Sequence, residues 1–567
     1  MASTFSKLKH YVFPFIILSI ALLFLITNYL FFTINYTRQL QDEFQNMNTY
    51  LTRFHSREWF DIIPQDINDE KLKIGSLEME RVRDKLHIHT KQNVANFKNP
   101  EWYEIVAREF RDETFNVGLV NMGRKTDNVR TTAKIVNVDF NRAAEGVRWA
   151  DLAPERIDEN STCPSIPMPR FEDYRDLDVV VASIDRCESK DVFRLQVNLV
   201  VANLLVRSGR KDGQPVYAVF VGGCHPMSEI FRCDDLLWKV GNSWVYKPQL
   251  TRIQKLMLMP FGPCQFVPPF SNSGDQNLWT KLNHITTQSN HKNPKHAYVT
   301  VLHTSEDYVC GAIVLAQSIL QSNTTKDLIL LADDNISLTS LEALRSAGWQ
   351  TKLIERIRSP YSKQNTYNEW NYSKLRIWEL TQYEKLMFID SDLLVNMNID
   401  KLFVYPELTA ASNYQKHFFN SGLMIVEPSR CTFETLMEKM VVVESYNGGD
   451  QGFLNEIFAW WHRLPATTNY LKVFVDVNDH LHYVDRKNVL AVHYTGLKPW
   501  KCEDEESDCN WDVLEFHRYA SNSAHKMWWK VYKSMPKDLR DYCSLYRAKN
   551  NDAYSPNEGH HDISIVN

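Results

Sequence analysis

Leu386-Met387-Phe388-Ile389-Asp390-Ser391-Asp392 is an apolar run that ends on two carboxylates two positions apart. A run of this length and composition predicts a strand buried on both faces, as in a parallel sheet. Asp390 and Asp392 then leave its C-terminal end, and in open α/β sheets that edge faces the crevice where ligands bind. Much later comes His493-Tyr494-Thr495-Gly496-Leu497-Lys498-Pro499-Trp500. Carboxylate oxygens suit hard cations, an imidazole tilts the choice toward Mn2+, and a nearby lysine can take a phosphate. The two segments together predict a clamp for a divalent metal and a nucleoside diphosphate sugar.

Two acids after a strand are, by themselves, more often a solvated turn. Between the two segments, however, lie Phe419-Asn420-Ser421-Gly422, opening the apolar run Leu423-Met424-Ile425-Val426, and Asn447-Gly448-Gly449-Asp450-Gln451-Gly452, opening a helix-like stretch from Phe453 to Trp461. Four polar, glycine-marked ends in this order point to one site.

On these segments the chain resembles the glycogenin-like retaining glycosyltransferases of family 8, from Ala297 to Trp500. Tyr298-Val299-Thr300-Val301-Leu302, Tyr308 with Gly311-Ala312, and Ser373-Lys374-Leu375 extend the resemblance. In glycogenin the histidine motif is one residue longer between its glycine and lysine. The shorter form here resembles the plant branch that decorates xylan with glucuronic acid.

The resemblance implies an α/β, GT-A-like nucleotide-sugar-binding domain with a mostly parallel central sheet. It implies that Asp390, Asp392 and His493 ligate Mn2+ across the diphosphate. Lys498 would contact the phosphates and Gly496 would let the backbone approach them. Ser391, Tyr494, Thr495 and Leu497 belong to the same UDP-sugar-binding segments. Leu302, Thr304 and Tyr308 align with the part that cradles uracil and ribose, and Asn420, Ser421 and Gly422 with the part that meets donor hydroxyls. Asn447, Gly448 and Gly449 form the turn that projects Asp450 and Gln451 beside the anomeric carbon. Asp450 is the nucleophile if retention runs through two displacements, and same-face attack is the other route. Lys374 is the cation for the leaving phosphate or a donor carboxylate, and Arg376 qualifies by proximity.

The chain has 567 residues, 44% of them hydrophobic, enough for a large core and more than one unit. With a net charge of −5 and no basic stripe, no nucleic-acid partner is expected. Tyr11 to Phe32 is apolar and long enough to cross a bilayer, with Lys7 and Lys9 before it, which predicts a type II signal anchor; the resemblance implies that the membrane is that of the Golgi. Residues 1–10 are then a cytoplasmic tail, 11–32 the anchor and 33–165 a lumenal stem. Sequons at Asn160, Asn323, Asn335 and Asn371 suit a lumenal location. Ten cysteines show no zinc-like spacing, and Cys502 with Cys509 is the expected disulfide.

From Leu177 the pattern reads strand (Val179 to Ala182), amphipathic helix (through Leu195, Leu199 and Leu204) and strand (Val216 to Val221). Residues 166–275 are therefore an additional lumenal α/β or α+β unit ending in a linker at Pro268 to Asp275. The catalytic domain spans 276–549, with its motif core at 297–500, and 550–567 is a disordered tail. The function expected is transfer of glucuronic acid from UDP-glucuronate to xylan, beside other Golgi glycosyltransferases. The alternatives are the same chemistry with UDP-galactose or UDP-glucose, and a non-catalytic scaffold of a polysaccharide synthase complex.

Overall fold

The computed structural model describes residues 100–543 except 111–113, 124–132, 144, 153–163, 165, 211–213, 260–274, 289–293, 414–416 and 475–481. The expected tail, anchor, most of the stem, the linker and the C-terminal tail lie outside the described residues. Among the described residues no helix is long and apolar enough to cross a membrane.

Two large sheets and a small third one organise the described residues from Pro100 onward. The first has six strands, β1 (Asn116–Val120), β2 (Lys134–Val138), β3 (Val179–Ile184), β4 (Tyr217–Gly222), β5 (Leu236–Val240) and β6 (Ser243–Tyr246), in the order β2-β1-β3-β4-β6-β5. β2, β1, β3 and β4 run parallel, and the hairpin β5-β6 joins antiparallel. β3 is Val-rich and buried on both faces, as a parallel strand must be. The helix Val192–Arg207 crosses from β3 to β4; it is apolar on nearly all sides and correspondingly buried. The strand, helix and strand expected from 177 onward are therefore present. β1 and β2, which precede the boundary expected at 165, pair in this same sheet, so the unit runs across that boundary.

The second sheet has the order β14-β12-β13-β10-β7-β8-β9. Its strands are β7 (His296–Leu302), β8 (Asp327–Ala332), β9 (Gln350–Leu353), β10 (Lys385–Ile389), β12 (Thr409–Ser412), β13 (Phe419–Val426) and β14 (His462–Leu464). β7 to β10 are parallel, and β13 is antiparallel to β10. The helix Val309–Gln321 buries the face predicted by Ala312, Leu315, Ala316 and Ile319.

Three local expectations shift. β13 begins at Phe419, so Asn420 and Ser421 lie within the strand and not in a turn before it. The helix expected from Phe453 starts at Asp450 and stops at Ile457. Beyond it, Trp460 packs into the core of the six-stranded sheet and Trp461 into that of the other, which a continued helix would not allow. Finally, His493, which the alternating strands and helices ending in the apolar run Val489 to Val492 would bring to the mostly parallel sheet, is not delivered by that sheet. β11 (Leu393–Val395), β15 (Tyr470–Leu471) and β16 (Ala491–His493) form a separate three-stranded sheet. β16 starts at Ala491 because Leu490 bonds Thr467 and Asn396 through its backbone instead.

Four disulfides tie the described chain: Cys187–Cys224, Cys233–Cys431, Cys310–Cys543 and the expected Cys502–Cys509. Cys233–Cys431 joins the six-stranded unit to the helix Arg430–Lys439 of the second. Beside it, Arg232 lies 2.9 Å from Glu427 and 3.9 Å from Glu407.

Candidate functional site

The antiparallel register of β10 and β13 sets one wall. Ile389 faces Leu423, so one step further Asp390 N–H donates to the Gly422 carbonyl at 2.8 Å. The chain then turns, and β11 pairs with β16 so that Leu393 faces His493, with Tyr494 N–H donating to the Asp392 carbonyl at 3.0 Å. Donor atoms of Asp390, Asp392 and His493 come within 4.8 Å of one another. Two carboxylates and an imidazole in that space fit a divalent cation.

Nε2 of His493 lies 3.3 Å from Asp392 Oδ1, while Nδ1 lies 3.1 Å from Asn469 Oδ1. Asn469 Nδ2 donates to Asn420 Oδ1 (2.8 Å), Asn420 Nδ2 to Gln451 Oε1 (3.2 Å) and Gln451 Nε2 to the Tyr446 hydroxyl (2.9 Å). Each amide in this chain donates to the next, so Asn469 offers His493 an oxygen. Nδ1 therefore carries the proton and Nε2 keeps its lone pair toward the carboxylates, the arrangement a metal ligand needs. Asn469 was not singled out in the sequence; an asparagine in a short loop carries no pattern that would do so.

A Cβ added at Gly422 would meet His493 Cε1 at 2.5 Å. The glycine is what lets the imidazole lie flat on β13.

Lys374 comes from the 3-10 helix Tyr372–Glu379 and is buried, not on the surface. Its Nζ lies 2.7 Å from Asp450 Oδ2 and 3.5 Å from Asp390 Oδ1, and it donates to the Ser421 hydroxyl at 3.2 Å. Burial disfavours its charge, but Asp390 and Asp450 outweigh burial and raise its pKa. Arg376 points elsewhere, pairing with Glu379 at 2.9 Å and donating to the Glu355 carbonyl at 3.0 Å. Lys498 Nζ lies 2.7 Å from Asp392 Oδ2 and donates to the Tyr494 carbonyl at 2.6 Å. Burial pushes the Asp390 carboxyl up, with Lys374 opposing. Burial acts the same way on Asp392, but the Lys498 ammonium outweighs it and holds that carboxyl well below the usual range.

Asp450 opens its helix. The turn before it is held by Asn447, whose Oδ1 accepts from Gly449 N–H (3.0 Å) and Gly452 N–H (3.1 Å). Asn447 thus satisfies amides that a helix start leaves unpaired. Gly448 has a left-handed φ of 69°. Ser391 is buried between the two metal-side aspartates.

Thr304 also has a left-handed φ, 74°, which is costly for a β-branched residue. Its N–H donates to Asp333 Oδ2 at 2.9 Å, and its hydroxyl lies 2.9 Å from His303 Nδ1. Asp333, buried just past the C-terminal end of β8, is, like Asn469, a residue that no local pattern marks. Tyr308 is half-exposed, edge-on to Trp500 at 5.9 Å, with Lys498 Nζ 5.8 Å from its ring. Trp500 in turn donates to the Asp307 carbonyl at 2.8 Å, which fixes that loop.

Several residues expected to bind the donor face the protein instead. Leu302 is in the core and its carbonyl accepts from Asp333 N–H. Tyr494 is fully buried with its hydroxyl on the Ala524 carbonyl (2.7 Å), and Thr495 donates to the Lys472 carbonyl (2.6 Å). Both backbone groups of Leu497 are taken by Asn510. Gly496 is required by its φ of 76° and by Asn510 and Tyr519, which an added Cβ would strike. These residues hold His493 and Lys498 in place.

The chain matches glycosyl transferase family 8 over residues 299–407 and 405–504. Residues 89–264 match the GUX1-5 N-terminal domain, a span that includes β1 to β6. The Arabidopsis thaliana protein named putative UDP-glucuronate:xylan alpha-glucuronosyltransferase 5 is 49% identical over 433 residues, 72% of this chain and 75% of that one. UDP-glucuronate:xylan alpha-glucuronosyltransferase 2 of the same plant is 45% identical over 442 residues, 74% and 73% of the two chains. Glycogenin-1 of Caenorhabditis elegans is 32% identical over 217 residues, 36% of this chain and 50% of that one. The mixed, mostly parallel sheets are those of a GT-A-like fold. This chain belongs to glycosyl transferase family 8, in the branch that holds the Arabidopsis UDP-glucuronate:xylan alpha-glucuronosyltransferases, and is a UDP-sugar glycosyltransferase.

Proposed function

We propose that this enzyme transfers glucuronic acid from UDP-glucuronate to the xylan backbone with retention of configuration. The relatives' names support the donor and the acceptor. The observation that carries the reading is the single ammonium of Lys374 shared by Asp390, on the metal side, and Asp450, on the sugar side.

Asp390, Asp392 and His493 would hold Mn2+, which when bound supplies Lewis acidity to stabilise the departing UDP. Lys498, now on Asp392, is placed to turn to the donor phosphates. Lys374 is the buried cation for the donor's negative charge, since Arg376 is committed elsewhere. Asn420 and Gln451, oriented by the amide chain from His493, meet donor hydroxyls. Asp450 faces the anomeric carbon. Its ion pair with Lys374 lowers its nucleophilicity, which favours same-face attack with Asp450 stabilising the developing positive charge over a covalent intermediate.

We further propose that Tyr11 to Phe32 anchors the enzyme in the Golgi membrane as a type II protein, alongside other Golgi glycosyltransferases. The test is Mn2+-dependent UDP release by the full-length protein, offered UDP-glucuronate, UDP-galactose or UDP-glucose with xylo-oligosaccharides, beside Asp392→Ala. Release with UDP-glucuronate that vanishes in the variant supports the reading. Release only with another donor overturns the donor, and no release with any donor favours the scaffold.

A further inference from the structure

The six-stranded sheet carries a crevice of its own. Its order β2-β1-β3-β4 reverses direction between β1 and β3. Where a parallel sheet reverses in this way the connections diverge to opposite sides and leave a ligand-sized gap at the strands' carboxyl ends. A cavity of about 200 Å³ lies there, lined by Asn121 after β1, Ser183 and Asp185 at the end of β3, and Arg142, Phe193 and Arg194.

Its walls are built for an anion. The Arg142 guanidinium stands 4.0 Å from the centroid of the Phe193 ring, is exposed, and has no carboxylate partner among the described residues. Arg194 is 6% exposed. Its terminal nitrogens donate to the carbonyls of Cys187, Glu188, His225 and Pro226, yet its Nε is buried with no hydrogen-bond partner. With its hydrogen-bonding edge turned to the protein, Arg194 contributes a fixed positive charge behind the wall of the cavity and not a contact. Arg186, the third guanidinium on the rim, is spent on Asp191 at 3.1 Å. The Cys187–Cys224 disulfide links the loops that follow β3 and β4, so the site is fixed in shape.

Size and chemistry narrow the ligand. The volume falls below the roughly 300–1,000 Å³ of pockets for drug-sized ligands, which admits one ring and not a nucleoside diphosphate. Guanidinium forks match a carboxylate. Asp185, Ser183 and Asn121 line the same cavity; Asn121 Nδ2 donates to the Ser183 carbonyl at 3.1 Å and the Ser183 hydroxyl to Asp185 at 3.4 Å, which leaves the Asn121 amide oxygen and the Asp185 carboxylate as acceptors for hydroxyls.

We propose that this crevice binds one uronic acid residue, its carboxylate on the Arg142 guanidinium with the charge of Arg194 behind it and its hydroxyls on the β1 and β3 ends, as a second carbohydrate site apart from the donor cleft. The reading above is used only to choose glucuronate as the uronate.

The test is calorimetric titration of the full-length protein with methyl glucuronide, with a xylo-oligosaccharide bearing one glucuronosyl branch, and with the undecorated oligosaccharide. Arg142→Ala, a surface change, should weaken binding of the uronates about tenfold or more, and Asp392→Ala should leave it unchanged. Binding of both uronates identifies any uronate as ligand, and binding of the branched oligosaccharide alone identifies the decorated polymer; either supports the site. Equal binding of the undecorated chain, no effect of Arg142→Ala, or loss only in Asp392→Ala would overturn it. Arg142→Ala should still release UDP from UDP-glucuronate. A wild-type protein that releases none, yet binds glucuronide through Arg142, would sink the catalytic reading and leave the crevice standing.

Discussion

Asn469 Oδ1 lies 3.1 Å from Nδ1 of His493 and fixes the imidazole so that Nε2 is the nitrogen turned to Asp392. Removing that oxygen frees the tautomer without touching a ligand. Asn469→Ala should weaken Mn2+ binding about 10- to 100-fold, as loss of an outer partner of a ligating histidine does. Electron paramagnetic resonance titration of Mn2+ measures it; an unchanged affinity would refute the role.

Gly422→Ala puts a Cβ 2.5 Å from the same imidazole. The ring must move, and a displacement near 1 Å at a reacting centre costs about a hundredfold in rate. UDP release should fall by that order while the circular dichroism spectrum stays the same.

Lys374 pairs with Asp450 in a buried setting, both side chains under a tenth exposed. Lys374→Ala strands the Asp450 carboxylate and should lower stability by about 3–5 kcal/mol. Adding Asp450→Asn removes the stranded charge and should restore most of it, a non-additivity that urea unfolding of the double-mutant cycle reads directly.

Glu407 and Glu427 flank Arg232 and titrate in opposite senses. Burial pushes Glu407 up to about 7, with Arg232 opposing; burial also acts on Glu427, but Lys385 and Arg232 outweigh it and bring that carboxyl down to about 2. The Glu407 contribution is fully present below its unfolded value of 4.5 and is lost as pH rises through about 7. The Glu427 contribution is present above 4.5 and lost as pH falls through about 2. Glu407→Gln should therefore be more stable than wild type at pH 8, by up to about 3 kcal/mol, with the difference closing as pH falls toward 5. Melting temperatures across that range check the sign.

By itself the sequence determined the alternation of strand and helix, because buried central strands such as Leu386 to Ile389 and Val179 to Ala182 must be apolar throughout, and a helix such as Val309–Gln321 shows its core face at a spacing of three and four. It also determined which chemistry stands at the strand ends, since Asp390, Asp392, His493 and Lys498 are polar groups that local pattern places beside apolar runs. The Cys502–Cys509 bridge was legible for the same local reason, a short loop between two cysteines. Only the tertiary structure decided the rest. His493 reaches the aspartates through the small sheet of β11, β15 and β16, a pairing between segments far apart in the chain that no local periodicity encodes. Lys374 is buried because Asp390 and Asp450 converge on it from different elements. Tyr494, Thr495, Gly496 and Leu497 turn inward because Asn510, Lys472, Ala524 and Tyr519 wait behind them. Burial, ion pairing and tautomer are properties of neighbours in space, and a chain read in order cannot show them.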